Sequence, residues 1–162
     1  VLQGFYETAS GMKVEWAESI NRARRAKKSI PPETALPRHD AARFESTMVQ
    51  VTNETTLAAA RRMIDAGRNP IALNFANGVV PGGGFLRGSR AQEEAICRCS
   101  ASYETLVGDP MYKSHRRRDF PDSTDWVIYS PSVPILSSRL PTGPPTADFS
   151  GRSAMRFPTS NV

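Results

Sequence analysis

Pro70-Ile71-Ala72-Leu73-Asn74-Phe75-Ala76-Asn77-Gly78-Val79-Val80-Pro81-Gly82-Gly83-Gly84-Phe85-Leu86-Arg87-Gly88-Ser89-Arg90-Ala91-Gln92-Glu93-Glu94 is the stretch on which the fold turns. Its opening, Pro70 to Phe75, has the length and apolar density of a buried strand. Three consecutive glycines lose more backbone entropy on ordering than any other tripeptide, so they belong where side chains would obstruct something close, a bound ligand being the expected obstacle. A helix-like run then extends from Gln92 to about Leu106. In α/β folds a glycine loop between strand and helix turns backbone N–H groups and a helix N-terminus toward phosphate oxygens.

Working outward, Phe44 to Val51 is β-rich and predicts a strand. Asn53 or Thr55 can cap a helix over residues 56–66, with Leu57, Ala60 and Ile64 on one face and Gly67 as the stop. Residues 44–75 are therefore expected to form a β–α–β unit, and the fold class is α/β. Upstream, Val14, Trp16, Ala17, Ile20, Ala23 and Ala26 follow helical spacing within Met12 to Lys28, where Arg22, Arg24, Arg25, Lys27 and Lys28 crowd the end. Trp126 to Tyr129 predicts a further strand, stopped by Ser130-Pro131. Beyond Leu136 no periodicity survives. The expected organisation is one domain over 1–137, helical over 1–40 and α/β over 41–137, followed by a Pro/Ser-rich tail or linker over 138–162.

The whole chain has 162 residues, one domain's worth. No apolar run approaches the roughly 18 residues of a membrane-spanning helix, so no membrane partner is expected. With 21 Lys and Arg against 16 Asp and Glu, the formal charge of +5 favours anionic ligands. The two cysteines, Cys97 and Cys99, exclude a disulfide framework, and with only His39 and His115 to join them they lack zinc-ligand spacing. Reduced thiols point to an intracellular, cytoplasmic setting, and no metal is expected. The chain opens on Val1 rather than a methionine, so a piece of a longer protein is one expectation.

Two familiar glycine motifs fail. A P-loop needs Gly-Lys-Ser or Gly-Lys-Thr where this chain has Gly88-Ser89, and a dinucleotide fingerprint fits only stretched through Gly82, Gly84 and Gly88. Glu93 and Glu94 admit two readings. They complement the dipole of a solvated helix start, or they divide labour at the loop, one holding a sugar hydroxyl and the other acting as general acid and base. Adjacent helical side chains are splayed, which favours division over a shared proton.

Gly82-Gly83-Gly84, seven intervening residues and Gln92-Glu93-Glu94 resemble the signature of poly(ADP-ribose) glycohydrolases, macrodomain enzymes. Leu73-Asn74-Phe75-Ala76-Asn77, Pro81 to Leu86, Ala91 to Glu94, Ser102-Tyr103 and Tyr129-Ser130-Pro131-Ser132-Val133-Pro134 resemble the microbial-type branch, and Val51 to Ala60 is similar to the segment before its ligand strand. The resemblance implies a macrodomain-like mixed sheet flanked by helices and cleavage of ribose–ribose O-glycosidic bonds without a cofactor. It casts Glu94 as the catalytic acid and Glu93 as its companion on a ribose. Gly82, Gly83 and Gly84 would cradle the diphosphate, Asn77 would bond the distal ribose, and Gln92 would join the binding set. Phe85 would pack either beside the sugar or in the core.

The family continues after its Ser-Pro-x-Val-Pro strand with more α/β units and a second glycine-rich loop. Leu140-Pro141-Thr142-Gly143-Pro144-Pro145 stands in that place, so a fold incomplete at its C-terminus is expected. The expected partners are poly(ADP-ribose), ADP-ribose and ADP-ribosylated proteins, with a non-catalytic ADP-ribose-binding module as the alternative. Nucleic-acid binding through Arg22 to Lys28 and Arg116-Arg117-Arg118 is not favoured, because neither cluster has interleaved aromatics.

Overall fold

The computed structural model describes residues 5–7, 10–36, 45–119 and 123–136. In chain order it has strands β1 (Phe5–Glu7) and β2 (Lys13–Glu15), helix α1 (Ala17–Ala26), strand β3 (Lys28–Ile30) and helix α2 (Thr56–Asp65). A 3-10 turn (Phe85–Arg87), helices α3 (Gln92–Cys99), α4 (Ser102–Leu106) and α5 (Pro110–His115), and strand β4 (Val127–Tyr129) follow. The class is α/β, as expected. The tail read at 138–162 lies outside the described residues.

The helix expected from Met12 begins only at Ala17. Lys13-Val14-Glu15 instead pairs antiparallel with β1, Tyr6 opposite Val14. A Lys13–Glu15 ion pair at 2.7 Å and the Lys13 ammonium 4.5 Å over the Phe5 ring fasten that hairpin. Helix α1 then buries Ile20 and Ala23, and Arg24 and Arg25 sit at its negative C-terminal end. Strand β3 follows at once and pairs antiparallel with β4, Lys28 opposite Tyr129 and Ile30 opposite Val127. The described residues of 1–40 thus hold three short strands beside their helix.

Helix α2 forms where its cap predicts. The Thr55 hydroxyl accepts from the Ala58 N–H at 3.2 Å, and Gly67 leaves the helix at φ +71°. Among the described residues the strands expected on either side of it do not form. Met48, Val49 and Val51 are 88%, 85% and 95% exposed, and Ile71, Leu73 and Phe75 are 82%, 69% and 73% exposed. Apolar composition gives a segment the tendency to be buried, but a strand also needs neighbours for its N–H and C=O groups. Besides a local Ala76 N–H to Asn74 C=O bond at 2.9 Å, it is a side chain that serves 70–75: the Gln92 amide accepts from Phe75 N–H and donates to Leu73 C=O, both at 2.8 Å. Over the described residues 45–75, the expected β–α–β unit is therefore replaced by a capped helix between two exposed segments.

The single helix expected over 92–106 is divided. Ser100 swings to φ −146°, ψ 174° and bridges to Ile135. Its hydroxyl donates to Ile96 C=O at 2.7 Å and accepts from Ser102 N–H at 3.1 Å, local bonds by which serine competes with the helical ladder. The break lets Cys97, Leu106, Met111 and Tyr112 pack as a core, covered by Phe85, Tyr103, Trp126 and Ile128.

Asp109 ties this core to the N-terminal half. Its Oδ1 accepts from Met111 N–H at 3.0 Å, capping α5, and from the Ser29 hydroxyl at 2.9 Å, while Oδ2 meets Lys27 Nζ at 2.8 Å. Ser29 Oγ in turn accepts from the Trp126 indole at 2.9 Å. Asp109 is 3% exposed, so its removal strands a lysine, a hydroxyl and an N–H together. Asp109→Ala is expected to lower stability by ~3 kcal/mol, read from urea unfolding, with Asp109→Asn costing less.

Candidate active site

Glutamates in a first helical turn ordinarily face water and complement the dipole. Here Glu93 and Glu94 are 3% and 8% exposed and turn toward the glycine loop. Glu93 Oε1 accepts from Gly82 N–H at 3.2 Å and Oε2 from Asn77 N–H at 2.8 Å. Glu94 Oε1 accepts from Gly84 N–H at 2.9 Å, whereas Glu94 Oε2 is buried and finds no hydrogen-bond partner among the described residues. The two carboxylates are thus held by different donors, and only one of them keeps an oxygen uncommitted.

This geometry gives the glycines a reason within the protein itself. Gly82 and Gly83 have φ of +68° and +56°, which side chains disfavour. A Cβ on Gly83 would collide with Glu94 Oε1 and stand 3.1 Å from Glu93 Oε2. A Cβ on Gly84 would run into the Ser89 hydroxyl, and one on Gly82 would reach Phe85 and Tyr103 at 3.0 Å and Cys97 Sγ at 3.2 Å. What a side chain obstructs here is the protein's own carboxylates and aromatics. The N–H groups of Gly82 and Gly84, expected to face phosphate, bond those carboxylates.

Burial raises the Glu93 carboxyl above its usual value, against the pull of the Asn77 and Gly82 N–H groups and the Asn74 side chain, and nearby Glu94 adds to the rise. Glu94 is held below its usual value, chiefly by the Gly84 N–H and then by its own N–H, with the Arg98 charge helping. Cys97, one turn along α3 from Glu93, is pushed up to about 12 by burial and by the Glu93 charge, and so stays a thiol.

The other residues singled out in the sequence gather at the same place. The Asn77 side-chain oxygen accepts from the N–H groups of Val79 and Val80, both at 2.9 Å, so it shapes the loop entry. The Gln92 amide is spent on Leu73, Phe75 and, at 3.0 Å, the Thr56 hydroxyl. Phe85 packs on Tyr103 with ring centroids 4.7 Å apart, on the core side of the loop. Sequence reading missed Arg98, which donates to the carbonyls of Phe85 (3.0 Å) and Ser89 and so staples the far end of the loop to α3. It also missed His115 and Arg116 at the near end. A basic residue in a last helical turn is too common to single out. Among the described residues no group of three His, Cys, Asp or Glu side chains could hold a metal ion.

A glycine loop closed onto two buried glutamates at the head of a helix, in an α/β chain, is the arrangement that the resemblance to macrodomain glycohydrolases implies. Residues 1–138 match the microbial-type PARG (poly(ADP-ribose) glycohydrolase) catalytic domain, and the chain belongs to that family. It is similar to poly(ADP-ribose) glycohydrolase from Thermomonospora curvata, at 35% identity and a TM-score of 0.75 over 96% of this chain and 56% of that one. The same enzyme bound to the inhibitor ADP-HPD aligns at 39% identity and a TM-score of 0.70, over 83% of this chain and 49% of that one. The Deinococcus radiodurans enzyme in complex with ADP-ribose aligns at 37% identity and a TM-score of 0.62, over 72% of this chain and 49% of that one. The chain thus spans about half the length of these structures. No curated protein matches it. Among the described residues no helix is long and apolar enough to cross a membrane.

Proposed function

We propose that this chain carries the catalytic glutamates and glycine loop of a poly(ADP-ribose) glycohydrolase, an enzyme releasing ADP-ribose by hydrolysing ribose–ribose O-glycosidic bonds. The observation that carries the reading is Glu94, fixed through Oε1 by Gly84 N–H and offering a buried, unpartnered Oε2. Glycosidic cleavage needs a proton for the leaving ribose oxygen and then a base for water, and one well-placed carboxyl can supply both in turn. Glu93, with both oxygens tied to backbone N–H groups, is suited to hold rather than to react. The relatives bound to ADP-ribose and ADP-HPD support the ligand class. ADP-ribosylated proteins present the same chemistry and are proposed as further partners. No cofactor enters this scheme. An intracellular, cytoplasmic setting fits two buried cysteines that form no disulfide, Cys97 and Cys99.

For Glu94 to act as an acid it must first be protonated. A ligand diphosphate that takes the Gly84 N–H removes the leading cause of its lowered pKa and adds negative charge nearby, and both effects raise it. Binding of ADP-ribose is therefore expected to take up protons, increasingly as pH falls from 7 toward 5. Calorimetry in buffers of different ionisation enthalpy reads the uptake, and Glu94→Gln should abolish it. The proposed function itself is tested by incubation with poly(ADP-ribose) and chromatography of released ADP-ribose. Binding without release would make the chain a recognition module instead.

A further inference from the structure

His115 closes α5 at 6% exposure, with Nδ1 2.9 Å from Gly78 C=O and Nε2 2.8 Å from the Thr124 hydroxyl. A carbonyl only accepts, so Nδ1 carries a proton, and Nε2 shares a second hydrogen bond with the Thr124 hydroxyl. Thr124 Oγ1 accepts in turn from Trp126 N–H at 3.3 Å, and the Trp126 ring stands edge-on to the imidazole with centroids 6.4 Å apart. The histidine is thus gripped from behind and aimed at the start of the glycine loop. The approach is close: a Cβ on Gly78 would lie 3.2 Å from Nδ1. The next residue, Arg116, donates to Val79 C=O at 2.7 Å. Two successive carbonyls of the loop entry are therefore held by two successive residues at the end of α5.

The same peptides are fixed from the other side, where Asn77 Oδ1 takes the N–H groups of Val79 and Val80. Val80 C=O then receives Gly83 N–H at 3.0 Å. Asn77 and Gly82 flank this clamped stretch, and their N–H groups are the ones that grip the two oxygens of Glu93. Resting on the ADP-ribose reading above, we infer that His115 is a positioning residue. Donating from Nδ1 to Gly78 C=O, with Arg116 on Val79 C=O, it holds the loop entry where Asn77 and Gly82 reach Glu93, so that ADP-ribose meets a preformed site. His115 touches no reacting atom in this scheme.

The test compares His115→Phe, which keeps ring bulk and loses both bonds, with His115→Asn, whose amide N–H can replace the Nδ1 donor. Hydrogen exchange at Val80, Gly82 and Gly84 reports the clamp without any ligand, since each of these amides is hydrogen-bonded to Asn77, Glu93 or Glu94. In His115→Phe these amides should exchange about tenfold faster, while Ile20 and Ala23 in α1 keep their rates. ADP-ribose affinity should fall about tenfold, the worth of one buried hydrogen bond. His115→Asn should restore both to near wild type, which a merely structural role would not do. Unchanged loop exchange in His115→Phe, or a loosened loop with wild-type affinity, would overturn the inference. Should His115→Phe not fold, Arg116→Ala at an exposed residue should still accelerate exchange at Val80, and no acceleration there overturns it equally. If the wild-type chain shows protected loop amides yet binds no ADP-ribose, the functional reading fails while the exchange rates of the variants still decide the clamp.

Discussion

Glu94→Gln is expected to reduce release of ADP-ribose from poly(ADP-ribose) by about 100- to 10,000-fold, the usual worth of a general acid and base. The substitution keeps the shape of the side chain, and the amide oxygen can still accept the Gly84 N–H that Oε1 accepts now. What is lost is a transferable proton at the position of Oε2. ADP-ribose affinity should therefore stay within a few fold, and the loss should appear in kcat rather than KM. Glu93→Gln is the contrasting case. Both Glu93 oxygens accept backbone N–H groups, so an amide NH2 must confront either Asn77 N–H or Gly82 N–H, donor against donor. That variant should lose affinity first. Near-normal turnover in Glu94→Gln would refute the role of Glu94, and equal kcat losses with unchanged affinity in both variants would refute the division between the two glutamates.

The regions of this molecule that were legible in the sequence are those in which chemistry and sequence distance are both short. Thr55 and Gly67 bracket α2 because a cap and a left-handed stop act within one turn of the residues they serve. The glycine triplet and the glutamate pair lie ten residues apart in the chain and meet directly, so their spacing announced a site. Long-range partners were hidden. Strand β3 follows a basic helix end with no pattern of its own, and its pairing with β4 spans about a hundred residues. His115 reaches Gly78 across 37 residues, and nothing local marks it as more than a scattered histidine. The error at 70–75 is of another kind. Ile71, Leu73 and Phe75 have strand character, but residue type cannot supply the neighbouring strands that a ladder requires. At the glycines the sequence suggests a close ligand but not the close side chains, because Glu93 and Glu94 fold back onto Gly83 from the following helix.

That last point gives the second large effect, Gly83→Val, which is expected to cost ADP-ribose affinity at least about 100-fold. Two costs combine at this position. A β-branched residue at φ +56° is strained by about 1–2 kcal/mol, and its Cβ collides with Glu94 Oε1 while crowding Glu93 Oε2 at 3.1 Å. Relief requires the loop to lift away from α3, which breaks the bonds from Gly82 and Gly84 N–H to the carboxylates. The same lift carries these N–H groups away from a diphosphate seated at the loop, and hydrogen bonds to charged groups are worth about 1.5–3 kcal/mol each, so losing two of them to the ligand sets the size of the effect. Gly88→Val separates the two costs: Gly88 has φ +89°, but nothing lies within 4 Å of a Cβ built there. It should show the strain as a lower melting temperature and leave affinity nearly intact. Both variants should retain the helical circular dichroism of α1, α2, α4 and α5, because the atoms nearest a Cβ at position 83 belong to α3 and none lies within 4 Å at position 88. If Gly83→Val binds ADP-ribose like the wild type, or no worse than Gly88→Val, close seating of the loop on Glu93 and Glu94 is not what recognition depends on, and the glycines act only as a flexible turn.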